Sequence, residues 1–220
     1  MSQRSTTGLA RFIALIGPIL VGAACAGPPN ADPTQFSPAA LTYRAYIAER
    51  SGTPALRESR LESEASTAHT LWSSRCNISV TATTGPTRFN YIVNGQDAWE
   101  IHDVPPTTAN LPADMQAVLN QFPPQGSRVS VYVVNRLVKA PDANGVRKEL
   151  GGVAARNSNW LFLSGSIVGS SRRVMAHELG HNLGNPDIVD SWNLMHESVP
   201  PGDRIYTDQC NTAHASPISN

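Results

Sequence analysis

His177-Glu178-Leu179-Gly180-His181-Asn182-Leu183-Gly184-Asn185-Pro186-Asp187 is the stretch that decides how the rest of the chain is read. Two imidazoles stand four residues apart, with a carboxylate directly after the first. On a helix, positions i and i+4 lie one above the other, so His177 and His181 can hold one metal ion between them. Glu178 can then reach a water on that ion without being a ligand itself. Gly184 falls where such a helix would end, at the position that favours a left-handed backbone and a sharp reversal. Proline disfavours helix in the residue before it, so Asn185-Pro186 continues the turn. A chain reversing here can bring Asp187 back towards the imidazoles as a third ligand, with Asp190 as the alternative. Two nitrogens, one oxygen and an open position make the site a catalytic zinc needs.

The pattern H-E-x-x-H is the arrangement of zinc hydrolases, and further on comes Asn193-Leu194-Met195-His196. Together these residues resemble the metzincin metallopeptidases, which carry an extended H-E-x-x-H-x-x-G-x-x-H motif and a methionine turn under the zinc. The last motif position here is Asp187, a variant resembling the snapalysin-type bacterial members of that clan. The resemblance implies one zinc ion on His177, His181 and Asp187, Glu178 as general base and Met195 as the floor of the site. It also implies a peptide substrate lying extended along an edge strand, for which Gly152-Val153-Ala154-Ala155 is the candidate, and a pocket lined by residues 197 to 200. Some metzincins carry a tyrosine two residues after the methionine; here that position is Glu197. His196 has counterparts in relatives that do not bind metal, and is not counted as a ligand.

The fold class expected is α/β (α+β): a twisted mixed sheet with an antiparallel edge strand, an active-site helix and a C-terminal helix. Leu61 to Ser74 has helical apolar spacing, and Asn77 to Ala82 alternates as a strand. Phe89 to Val93 and Ala98 to His102 flank Asn94-Gly95, a strong hairpin signal. A short helix is expected from Pro112 to Gln121. Val129 to Val134 reads as a buried strand, Gly151 to Ala155 as a glycine-bearing edge and Trp160 to Leu163 as an inner strand. Ser170 or Ser171 is expected to cap the active-site helix. Met175, Leu179 and Leu183 should face its core side, and Val174, His177, Glu178 and His181 the cleft. Gly180 costs about 1 kcal/mol against alanine in mid-helix, which suggests close packing there. A short helix is expected near Thr207 to Ala215.

Residues 1 to 26 read as an export signal: Arg4 and Arg11, an apolar run, then Ala24-Cys25-Ala26 as a small-x-small cleavage site. Secretion is the first expectation, and a lipid-anchored surface protein through Cys25 the second. Residues 27 to 58 are rich in proline, alanine and serine and are expected to be a tether or short pro-segment, with a small helix around Ala39 to Arg50. The catalytic domain is then expected over residues 59 to 220.

The whole chain has 17 basic and 17 acidic residues, and removing residues 1 to 26 takes away two arginines and no acid, leaving a net charge of −2. Such a balance gives no argument for nucleic acid as partner. No transmembrane span is expected in the mature chain, which is expected to be a monomer acting on protein or peptide. Setting Cys25 aside, Cys76 and Cys210 form an even pair, expected as a disulfide in an oxidising compartment, with two separate thiols as the alternative. The function expected is zinc-dependent peptide-bond hydrolysis. The competing reading is an exported binding protein on the same scaffold without turnover, against which the intact Glu178 argues.

Overall fold

The computed structural model describes residues 28–105, 110–168, 173–197 and 202–219. In chain order the strands are β1 (Ala39–Arg50), β2 (Thr53–Pro54), β3 (Ile78–Ala82), β4 (Thr87–Asn90), β5 (Ile92–Val93), β6 (Gln96–Asp97), β7 (Glu100–Val104), β8 (Val129–Val134), β9 (Arg136–Lys139), β10 (Glu149–Leu150), β11 (Gly152–Ala154) and β12 (Trp160–Ser164). The helices are α1 (Glu58–Cys76), α2 (Ala113–Gln121), α3 (Gly165–Val168), α4 (Val174–Asn182) and α5 (Thr207–His214). The expected export signal, with Cys25, lies outside the described residues, as do Ser170 and Ser171.

The main sheet is mixed. β3 and β4 both run parallel to β1, one along each half of it, and β8 runs parallel on its other side. β12 continues the parallel order beyond β8, and β11 closes the edge antiparallel to β12. Residues opposed across the sheet include Tyr43 and Val129, Leu161 and Val131, and Val153 and Phe162. A second sheet, β10-β9-β7, and the hairpin β5–β6 stand apart from it. Asn94 and Gly95 both have positive φ, 51° and 80°, as a tight hairpin with right-handed strand twist demands.

Strands covered on both faces lose the apolar–polar alternation of a half-exposed sheet. All six residues of β8 are buried. On one face Leu41, Ala45, Ile47, Val131 and Leu161 pack under α1 and α4. On the other, Tyr46, Tyr132 and Phe162 meet Phe89, Met115, Val118 and Leu137. The same two-sided burial explains the largest departure from expectation. Residues 39 to 50 form neither tether nor helix; they are the central strand of the sheet, with Tyr46, Ile47 and Ala48 buried. Their alanines, arginines and glutamate favour helix locally, but pairing with β3, β4 and β8 overrides that preference. The folded unit therefore starts well before residue 59.

Helix α1 carries α4 on its inner face. Trp72 Nε1 donates to Ala176 O at 3.0 Å, and Met175 N donates to Glu64 Oε2 at 3.2 Å, both bonds buried. At its far end α1 is joined to α5 by the Cys76–Cys210 disulfide, closing a separation of 134 residues with the Cα atoms 5.1 Å apart. Among the described residues no helix is long and apolar enough to cross a membrane. Because the bridge constrains so long a loop in the unfolded chain, Cys76→Ser with Cys210→Ser is expected to cost about 4–5 kcal/mol, read as a lowered urea midpoint. An unchanged midpoint would remove the disulfide as a major contributor to stability.

Candidate metal centre

Helix α4, which carries both histidines, begins at Val174, later than a serine cap would place it, and Arg173 gives it no side-chain cap. The exposed N–H groups of a first helical turn need acceptors. Glu64, fully buried on α1, supplies one by accepting from Met175 N. A carboxylate here also meets the positive end of the helix. Met175, Leu179 and Leu183 enter the core as their spacing requires. Val174, expected in the cleft, is buried in that core too, because α1 and the sheet enclose the start of the helix.

At the other end Gly184 takes φ +93°, and Asn185 N returns to Gly180 O at 2.9 Å. That φ disfavours any residue with a β-carbon, which would in addition stand 2.7 Å from Asn157 Oδ1. The reversal puts the carbonyl of Asn185 2.9 Å from His181 Nδ1. Likewise the carbonyl of Leu194 lies 2.8 Å from His177 Nδ1. A carbonyl can only accept, so both Nδ1 atoms donate, and each ring turns Nε2 towards the cleft.

Asp187 Oδ1 lies 3.4 Å from His177 Nε2 and 3.5 Å from His181 Nε2. These gaps are long for hydrogen bonds. Two donors bound tetrahedrally at about 2.0–2.1 Å from one ion stand roughly 3.4 Å apart, so the spacing fits a shared cation. The three residues form a group whose donor atoms all lie within 4.8 Å of one another. Asp190, the alternative ligand, is engaged elsewhere: Tyr206 Oη donates to its Oδ2 and Trp192 N to its Oδ1. His196 is not part of the converging group.

Burial pushes the Glu178 carboxyl up to about 7, against the opposing pull of the His181 charge. Its Oε2 is buried without a hydrogen-bond partner among the described residues. Gly152 of β11 makes room for this side chain; a β-carbon there would stand 2.6 Å from Glu178 Cγ and 2.7 Å from Oε1. The two histidines diverge. Burial and the neighbouring His181 hold His177 down to about 4. Burial would lower His181 as well, but Asp187 and Glu178 outweigh it and lift it to about 9. Without a metal, a protonated His181 therefore balances the two carboxylates.

Met195 is fully buried beneath the helix. A β-carbon on Gly180 would overlap its Sδ and come 3.1 Å from Trp72 Cζ2, which explains a glycine in mid-helix. Val153 and Ala154 continue the half-buried edge strand, and Ala155 follows directly after it. Glu197 is exposed, while residues 198 to 200, expected to line the pocket, lie outside the described residues. Two other histidines serve the scaffold, His69 Nδ1 accepting from Val80 N and His214 Nε2 donating to Cys76 O at 2.6 Å, while His102 is exposed beside Glu100. Glu64 and Trp72 hold the start of α4 yet belong to no motif; their trace in the sequence was only a glutamate and a tryptophan at positions on the apolar face of α1.

No protein-family model and no curated protein matches this sequence. Among solved structures, archaemetzincin from Methanopyrus kandleri matches with a TM-score of 0.50 and 13% identity, over 80% of this chain and 94% of that one. Archaemetzincin from Archaeoglobus fulgidus matches at 0.48 and 14%, over 78% and 99%. Metalloproteinase-II from Bacteroides fragilis matches at 0.45 and 16%, over 84% of this chain and 56% of that one. At such identities the likeness is one of fold alone: the mixed sheet with its antiparallel edge and packed helices is similar to that of the Methanopyrus kandleri archaemetzincin.

A cation entering this centre must displace the proton on His181, since a ligating imidazole has to be neutral, whereas His177 is neutral already. Divalent-cation affinity is accordingly expected to fall about tenfold per unit as pH drops from 8 to 7, with close to one proton released per ion. Calorimetry in buffers of different ionisation enthalpy measures this; proton release near zero would contradict the assignment of the charge to His181.

Proposed function

We propose that this chain is an exported zinc-dependent endopeptidase, with His177, His181 and Asp187 as metal ligands, Glu178 as general base and the edge strand β11 as the peptide guide. The observation that carries the reading is the convergence of two imidazoles and the Asp187 carboxylate, which stands 3.4 and 3.5 Å from them, beside a buried carboxylate with an unpartnered oxygen. The donor set of two imidazoles and one carboxylate, with an open fourth position, suits zinc. When bound, the ion would supply Lewis acidity, making water a better nucleophile and polarising a carbonyl.

The chain's own groups support the remaining work. A carboxyl held near 7 can accept a proton at neutral pH and give it up again. Glu178 takes the proton of the attacking water as its oxygen bonds to the carbonyl carbon. It then hands that proton to the amine nitrogen as the C–N bond breaks. β11 is bonded to β12 along one side and is the end strand of the sheet among the described residues. Its free side can accept an extended peptide as a further strand. Gly152 places that edge against Glu178, so a peptide paired there passes over the general base.

Residues 1 to 26 are proposed as the export signal, and the disulfide accords with an oxidising compartment. Lipid attachment at Cys25 is the alternative form of export. Digestion of casein or of a quenched peptide mixture tests the activity. Wild type is expected to cleave, chelator to abolish cleavage, and Glu178→Ala to lose at least about a hundredfold in kcat while still binding zinc. Absence of chelator-sensitive cleavage by folded, zinc-loaded wild type would favour the silent binding scaffold instead. Gly152→Val is expected to push Glu178 aside and lower kcat by about tenfold or more with zinc affinity kept; full activity would show that β11 does not constrain the base.

A further inference from the structure

A pair of buried amides lies behind the methionine turn. Asn193 Nδ2 donates to Gln209 Oε1 at 2.8 Å, and Gln209 Nε2 donates back to Asn193 Oδ1 at 3.0 Å. Each acceptor carries a second bond. Asn193 Oδ1 accepts from Met195 N at 2.8 Å, and Gln209 Oε1 from Tyr206 N at 2.9 Å. Asn193 is fully buried and Gln209 is 5% exposed, so neither has bulk water as a substitute partner.

What this pair holds is the source of two ligand positions. Leu194 O, inside the turn, lies 2.8 Å from His177 Nδ1 and orients that ring. Met195 O accepts from Ile188 N at 2.8 Å, and Ile188 is the residue after Asp187. One turn thus sets the ring of His177 and the backbone beside Asp187. Gln209 is the side chain by which α5 grips that turn, and the neighbouring Cys210 fastens α5 to α1.

We propose that Gln209 is a positioning residue for the metal centre, acting through Asn193 on the methionine turn and so on His177 and Asp187; this rests on the reading of those residues as ligands. The turn keeps backbone bonds of its own, among them Leu194 N to Arg204 O at 2.8 Å. The effect of Gln209 should therefore fall at the lower end of what groups behind a metal ligand contribute, which runs from about tenfold to a hundredfold in affinity.

The test measures Zn²⁺ affinity by competition with a chromophoric chelator, and the visible absorption of the Co²⁺-loaded protein, on the full chain. Gln209→Met keeps the length of the side chain and removes all three bonds. It is expected to weaken Zn²⁺ binding about tenfold and to alter the Co²⁺ spectrum. Val118→Ala, a cavity in the core on the opposite face of the sheet, serves as a destabilised control and is expected to bind like wild type. Equal affinity and identical spectra for wild type and Gln209→Met, with His181→Ala binding weakly, would overturn this proposal alone. Wild type failing to bind Zn²⁺, or His181→Ala binding equally well, would overturn the ligand assignment and this proposal with it. Should Gln209→Met not fold, Gln209→Glu decides: it keeps both accepted bonds, loses the donated one, and is expected to weaken binding about threefold, whereas wild-type affinity overturns the proposal.

Discussion

Which nitrogen an imidazole can offer to a cation, and in what direction, is fixed by the acceptor that holds its other N–H. Here the holders are two backbone carbonyls, Leu194 O for His177 and Asn185 O for His181. Neither carbonyl belongs to the helix that carries the rings. The two come from the reversal after that helix and from the methionine turn beneath it. The geometry of the centre therefore depends on where two loops are anchored, and much of the surrounding structure can be understood as that anchorage.

Glycines do much of it by leaving room. Gly184 permits the left-handed reversal that returns Asn185 to the helix end. Gly180 lets Met195 press against the helix backbone, and Gly152 lets the edge strand close over Glu178. Larger residues at these three positions would separate the layers that the site needs in contact. Polar anchors complement this packing. Glu64 accepts from the first turn of α4, Trp72 donates to the same turn, and the Asn193–Gln209 pair ties the methionine turn to α5.

The electrostatics follow from burial. Glu178 is enclosed and so holds its proton to about 7, while its neighbour His181 is lifted to about 9 by two carboxylates. Two carboxylates converging on the imidazoles leave excess negative charge, and a proton on His181 compensates for it. The same low-dielectric enclosure that raises the Glu178 carboxyl would be lost if β11 moved away.

How much was legible beforehand differs by the range of the interaction. The i, i+4 histidines, the glycine and proline of the reversal, the hairpin at Asn94-Gly95 and the apolar run of β8 are local patterns, each carried by backbone preference over a few residues. Those were readable, and the cysteine pairing followed from counting. Residues 39 to 50 were not, because their local preference is helical and only three long-range strand pairings make them the centre of the sheet. Nor was the start of α4, whose cap comes from a side chain 111 residues away. The sequence by itself determined which side chains have metal-binding chemistry and that one helix face holds two of them. Tertiary structure alone decided that Asp187 and not Asp190 completes the group, because the choice depends on a loop whose course is set by bonds to the methionine turn and to Tyr206.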